Sequence, residues 1–225
     1  MSRFPDVPMS RSALLPRLYP ILDAQAACFA SAPDQTSSIL AFAEELLSGG
    51  ATLIQYRNKS EDARTALAHL RELRKMIATR ARLIVNDRAD LCMACDADGV
   101  HLGQDDLPPS AARGVLDVGS ARSLWIGYST HNLSQLQAAA AMPVDYVAIG
   151  PIFATASRAN PDPTVGLDGV RQARQATDRP LVAIGGITRM NCRSVIEAGA
   201  DCVAIISDLV ESPRAAVEEF LRILR

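Results

Sequence analysis

Short apolar runs recur along the chain, and helical patterns fill the intervals between them. The runs are LYPIL (18–22), TLIQY (52–56), LIVN (83–86), GVHL (99–102), WIGYS (125–129), YVAIG (146–150), LVAIG (181–185) and CVAII (202–206). Most are nearly continuous in hydrophobicity rather than alternating, which predicts strands covered on both faces. Between them, SSILAFAEELLSGG (37–50) has the helical period and ends in Gly49-Gly50, a favourable C-terminal cap. SEDARTALAHLRELRKMIATR (60–80) opens on Ser60 as an expected cap, carries acids in its first turn and is basic at its end. MNCRSVIEAGA (190–200) and SPRAAVEEFLRIL (212–224) close the series, the latter with Ser212 as cap and Pro213 at the first helical position.

Eight strand–helix alternations predict one α/β domain, a (β/α)8 TIM barrel over residues 17–225. Residues 1–16, rich in Arg and Pro, read as a flexible N-terminal extension. The other α/β architecture, an open doubly wound sheet, is disfavoured because no G-x-G-x-x-G follows the first strand. The one long interval without a helical pattern is 151–165, PIFATASRANPDPTV, and loops of this kind serve as lids or binding loops.

Composition narrows the function. The chain has 225 residues, 48% of them hydrophobic, enough for one large core. Its net charge is −2 and no basic stripe is present, so nucleic acid is not an expected partner. No apolar run approaches the ~18 residues of a membrane span, and the N-terminus lacks the apolar core of a secretory signal. A cytoplasmic location is therefore expected. Five scattered cysteines fit a reducing compartment. Cys92 and Cys95 form a C-x-x-C, readable as a redox or metal pair or, as expected here, as two apolar positions on the inner face of a short helix.

In a (β/α)8 barrel the chemistry gathers at the C-terminal ends of the strands. After strand 2 come Gln55, Arg57 and Lys59, which extended geometry places on one side, where they suit a phosphate or pyrophosphate; an ordinary basic surface loop is the alternative. Asn86 and Asp87 follow strand 3, and Asp105 and Asp106 follow strand 4. Acids from neighbouring strands beside phosphate-binding cations suggest a bridging Mg2+, while a helix cap is the other role open to Asp87. After strand 5, Ser129, Thr130 and His131 lack a third orienting acid, so triad chemistry is weakly supported. His101 reads as a satisfied barrel-interior residue and His69 as a surface one. Thr155, Ser157 and Arg158 lie in the long loop, while Gly185-Gly186 and Ser207 follow strands 7 and 8, the usual phosphate site of this architecture.

Six segments in order, GATLIQYRNK, VNDRADLCMACDADGVHLGQDDLP, IGYSTH, DYVAIGPIFATAS, VAIGGIT and AGADCVAIIS, resemble the thiamine phosphate synthase family from about Leu18 to Ser207. The resemblance implies a Mg2+-dependent transfer of hydroxymethylpyrimidine from its diphosphate to a thiazole phosphate, releasing pyrophosphate. It implies that Gln55, Arg57, Lys59 and Asn86 hold the pyrimidine diphosphate, with Tyr56 and Asn58 in the same segment. Asp87 and Asp106 become the Mg2+ ligands and Ser129 a further diphosphate contact. Thr155, Ala156, Ser157, Gly186, Ile206 and Ser207 fall to the thiazole phosphate. Arg57, Lys59, Ser129 and Arg158 are the implied catalytic residues. Two segments depart from the family pattern: Asn58 stands where Glu is usual, and ATASR replaces Pro-Thr-x-Thr-Lys, so Ala154, Ser157 and Arg158 take the places of Pro, Thr and Lys. Two other readings of such a barrel are a thiazole tautomerase, with His131 as acid–base residue, and a non-catalytic sensor of a thiamine-pathway phosphate. The retained cation and acid cluster favours the synthase.

Overall fold

The eight apolar runs become eight parallel strands that close on themselves: β1 (Leu18–Asp23), β2 (Leu53–Arg57), β3 (Arg82–Asn86), β4 (Gly99–Leu102), β5 (Trp125–Thr130), β6 (Tyr146–Ile149), β7 (Leu181–Ile184) and β8 (Cys202–Ile205). Each pairs with its sequence neighbours, and β8 returns to β1. This computed structural model describes residues 15–59, 62–118, 123–155 and 162–225. The intervals hold α1 (Ala27–Ala30), α2 (Gln35–Ser48), α3 (Ala63–Ile77), α4 (Ala89–Ala94), α5 (Pro109–Asp117), α6 (Leu133–Ala139), α7 (Gly166–Ala176), α8 (Cys192–Glu197) and α9 (Pro213–Ile223).

The near-continuous hydrophobicity of the strands has a two-sided cause. Tyr19, Ile21, Leu53, Ile84, Trp125, Tyr146, Val182 and Cys202 fill the barrel interior. Their chain neighbours Leu18, Leu22, Ile54, Leu83, Val85, Ile126, Val147 and Val203 face the helical ring. Both faces of each strand are dry, so alternation between apolar and polar never develops. Leu15, inside the expected extension, also packs into the interior cluster; residues 1–14 lie outside the described set.

Several local expectations change. Helix α3 is capped by Asp62, whose carboxylate accepts from the Arg64 and Thr65 amides; Ser60 lies outside the described residues. Ser212 occupies the cap position of α9 but makes no capping bond with its side chain, and Pro213 holds the first turn. His69 is not on the surface. It is 2% exposed, with Nδ1 2.8 Å from the Tyr56 hydroxyl, because α3 turns that face onto β2. Cys92 and Cys95 are buried at α4, and burial pushes the Cys95 thiol up to about 11, so they form part of the packing.

A single device recurs at the N-terminal end of the barrel. Asp98, Asp145 and Asp201 stand one residue before β4, β6 and β8. The Asp98 amide donates to the Leu83 carbonyl, and the Leu83 amide donates back to the Asp98 carboxylate at 2.8 Å. Asp145 exchanges the same two bonds with Ile126, and Asp201 with Leu181. Each carboxylate also takes an arginine from a helix: Arg74 of α3 at 2.6 Å, Arg113 of α5 at 2.7 Å and Arg174 of α7 at 2.8 Å. These arginines donate to backbone carbonyls as well: Ala78 for Arg74, Leu124 for Arg113, and Thr177 and Arg179 for Arg174. Helix end, strand start and the next strand's start are thus tied together, and barrel stability resides on this face.

The Asp98 pair is the driest, with side chains 4% and 8% exposed. Asp98→Ala should therefore lower stability by about 3–5 kcal/mol, since it strands a buried guanidinium and a strand amide. Asp145→Ala and Asp201→Ala should cost less, and Asp168→Ala, where the carboxylate is 88% exposed, should change it by under ~0.5 kcal/mol. Denaturant titration with equal slopes checks the ranking. In the native protein a disulfide reagent should titrate one thiol, the exposed Cys28, and all five only after unfolding.

Candidate active site

The opposite rim carries the polar residues. The final residue of β2, Arg57, lies across from Asp23 at the end of β1 and donates to its carboxylate. Beyond it, Lys59 pairs with Asp87. Asp87 sits in the left-handed region, φ 64, which short polar side chains tolerate best. Its amide donates to the His101 carbonyl at 2.8 Å, and its carboxylate contacts Asp106. Asp106 in turn accepts from the Gly103 amide at 2.6 Å. Burial first, and then the Asp87 carboxylate, raise the Asp106 carboxyl above its ordinary range.

Asp87 does not cap α4. Arg88 holds the cap position without a side-chain capping bond, and its guanidinium pairs with Asp90. Two carboxylates in contact beside one ammonium leave a net negative charge that a hard cation would neutralise. The set suits an ion that takes one or two carboxylates and otherwise keeps waters or phosphate oxygens; among the described residues no three His, Cys, Asp or Glu side chains form a closed metal cage. Next to them, the Asn86 amide nitrogen is buried with no hydrogen-bond partner among the described residues. A buried donor left open at a rim is the local signature of a group awaiting an acceptor.

Gln55 lies one layer deeper, buried, and donates from Nε2 to the Tyr19 hydroxyl at 2.9 Å. The chain of contacts continues from Tyr19 to the Tyr146 hydroxyl at 3.0 Å, to His101 Nδ1 at 3.1 Å, and from His101 Nε2 to Ser129 Oγ at 2.8 Å. Burial lowers the His101 pKa to about 4, so its imidazole is neutral at neutral pH. The imidazole facing Ser129 thus belongs to His101. His131 instead lies 3.0 Å from the Gly150 carbonyl and 3.4 Å from Asp162. Tyr56 and Asn58 stand apart from the other strand-2 residues. Tyr56 faces the helical ring, and Asn58 donates to its hydroxyl.

Across the barrel, Gly185 and Gly186 adopt φ 100 and 64. A Cβ on Gly186 would stand 2.8 Å from Phe153 Cβ, so glycine is required where the strand-6 and strand-7 loops meet. Ile206 precedes a short 3-10 turn, Ser207–Leu209. Arg189 joins this turn to the strand-7 loop through Asp208, and reaches Glu219 of α9. Thr155 is the last described residue before the gap; Ala156, Ser157 and Arg158 lie outside the described residues.

Tyr19, Asp23, Tyr146 and Arg189 were not singled out by sequence. The signal for the tyrosines was available, since both occupy inward positions of strands whose other inward residues are small or apolar. Asp23 could have been found from the parallel register that sets it against Arg57.

The family model described as thiamine monophosphate synthase matches residues 18–209. A thiamine-phosphate synthase of Koribacter versatilis is 55% identical over 216 residues, spanning 96% of this chain and 99% of that protein. Another, of Chloroflexus aurantiacus, is 43% identical over 168 residues, 74% of this chain and 76% of its own. A solved thiamine phosphate pyrophosphorylase from Pyrococcus furiosus shares the fold with a TM-score of 0.78 at 34% identity, covering 92% of this chain and 95% of that one.

Proposed function

This chain belongs to the thiamine monophosphate synthase family, and on that premise we propose how its rim residues divide the work. The activity is that of a thiamine-phosphate synthase, a transferase of thiamine biosynthesis. The substrates in this reading are hydroxymethylpyrimidine diphosphate and a thiazole phosphate, and the products are thiamine phosphate and pyrophosphate.

The carrying observation is the contact of Lys59, Asp87 and Asp106 beside the unpartnered Asn86 amide. Arg57, oriented by Asp23, and Lys59 donate to the diphosphate. Asn86 adds its open N–H and Ser129 a hydroxyl. Asp87 and Asp106 would hold Mg2+, which when bound would neutralise charge on the departing pyrophosphate. Gln55, buried under the cations, holds the pyrimidine. As the carbon–oxygen bond to the diphosphate breaks, the cations and donors stabilise the growing negative charge. The thiazole nitrogen then captures the electron-poor methylene carbon. The thiazole phosphate sits on the far side, at Thr155, Gly186, Ile206 and Ser207, with Ala156 and Ser157 in the same loop and Arg158 as a further cation toward the diphosphate. No side-chain nucleophile is needed, because the barrel's contribution is to position two ligands and stabilise a leaving group. Among the described residues no helix is long and apolar enough to cross a membrane.

Purified protein given both substrates should release pyrophosphate and form thiamine phosphate one for one, and only with Mg2+ present. Absence of Mg2+-dependent release would overturn the reading. Asp87→Ala should lower kcat at least about 100-fold, the usual scale for losing one charge-stabilising group. Its melting temperature should stay within a few degrees of the parent, because the carboxylate caps no helix. Near-normal turnover in this variant would remove Asp87 from the site.

A further inference from the structure

Beneath the rim, five polar side chains form one unbroken line through the barrel: Gln55, Tyr19, Tyr146, His101 and Ser129. The three inner members are locked by packing. His101 stacks on Tyr146 with ring centroids 5.5 Å apart, Tyr19 meets Tyr146 edge-on at 6.1 Å, and Gly127 is the only residue type that leaves them room, since a Cβ there would collide with both the Tyr146 ring and His101 Nδ1. Each of these groups has a single proton to place in the line: one per phenol, one on a neutral imidazole. A line of single-proton groups can be satisfied in one of two directions, and whichever end is fixed orders the rest.

We propose that the Gln55 amide fixes that order, so that the line acts as a proton-ordered strut presenting Ser129 to the ligand as a hydroxyl donor. Gln55 Nε2–H can only donate, so the Tyr19 oxygen accepts and its proton goes to Tyr146. Tyr146 then donates to His101 Nδ1, which leaves the imidazole proton on Nε2, donated to Ser129 Oγ. Ser129 accepts from below, and its own O–H is free to point outward, as an anionic oxygen requires. Turning the Gln55 amide over reverses all four bonds. Ser129 would then spend its proton on His101 and offer the anion only lone pairs. Tyr19, Tyr146 and His101 are positioning residues in this scheme, acting through Gln55 and Ser129. That the anion is a diphosphate rests on the function proposed above; the proton order does not.

The protonation site of His101 reads the direction without any turnover. In ligand-free protein labelled with 15N-histidine, NMR at neutral pH should show His101 protonated on Nε2 and bare on Nδ1. A proton on Nδ1 would overturn the proposal. In Gln55→Glu the amide donor becomes an acceptor, and the His101 proton should move to Nδ1; a proton that stays on Nε2 would show that Gln55 does not set the order. A double-mutant cycle tests the far end with inorganic pyrophosphate and Mg2+ as the probe. Tyr19→Phe should weaken pyrophosphate binding about threefold in the parent and leave it unchanged in a Ser129→Ala background, a coupling of the size seen within one hydrogen-bond network. Equal losses in both backgrounds would overturn the strut. Pyrophosphate that fails to bind the parent, with His101 protonated on Nε2, would overturn the reading of the site and leave the proton order supported.

Discussion

The reciprocal bonds between an aspartate and the start of the preceding strand are the constraint on which the rest of this barrel depends. Asp98 with Leu83, Asp145 with Ile126 and Asp201 with Leu181 each close a small ring from backbone and carboxylate together. A ring of this kind allows one register. A slip of one residue would turn every inward side chain to the helical ring. Asn86 and His101, paired in register across β3 and β4, would leave the interior together. Precision at the rim is therefore set at the opposite end, some four to six residues away along each strand.

The rim in turn is built from groups that restrain one another. Asp23 holds Arg57, Lys59 holds Asp87, and the Gly103 amide holds Asp106. None of these pairs neutralises the site. Two carboxylates press together, one of them pushed toward its protonated form, and an amide donor is left open beside them. Asp87 also holds a left-handed backbone conformation that most residues avoid. Destabilising features of this kind collect where a ligand completes the structure, because the ligand supplies the missing charge and acceptor atoms.

Below the rim the problem is reversed. No water is needed between the groups of the Gln55–Ser129 line, since each lies within hydrogen-bond distance of the next. A polar line in a dry interior is stable only when every member is satisfied, and this one joins Gln55 of β2 to Ser129 of β5 through the barrel. The two tyrosines and His101 thereby tie the donor character of one side chain to the orientation of another that it never touches.

Sequence alone determined the architecture and most of the rim. Eight dry strands in alternation with helices admit few closed arrangements, and polar residues that end such strands have one face on which to gather. Gln55, Arg57, Lys59, Asn86, Asp87, Asp106 and Ser129 were legible for that reason. Tertiary structure decided what each of them touches. Tyr56 and Arg57 are adjacent in sequence, yet one faces His69 and the other Asp23, because the pleat sends neighbours to opposite sides. His69 looked exposed on a polar helix and is buried, since the helix docks that face on β2. His131 stands two residues from Ser129 in the chain and turns to the Gly150 carbonyl, while His101 faces Ser129, because partnership across a barrel follows register and not distance along the chain.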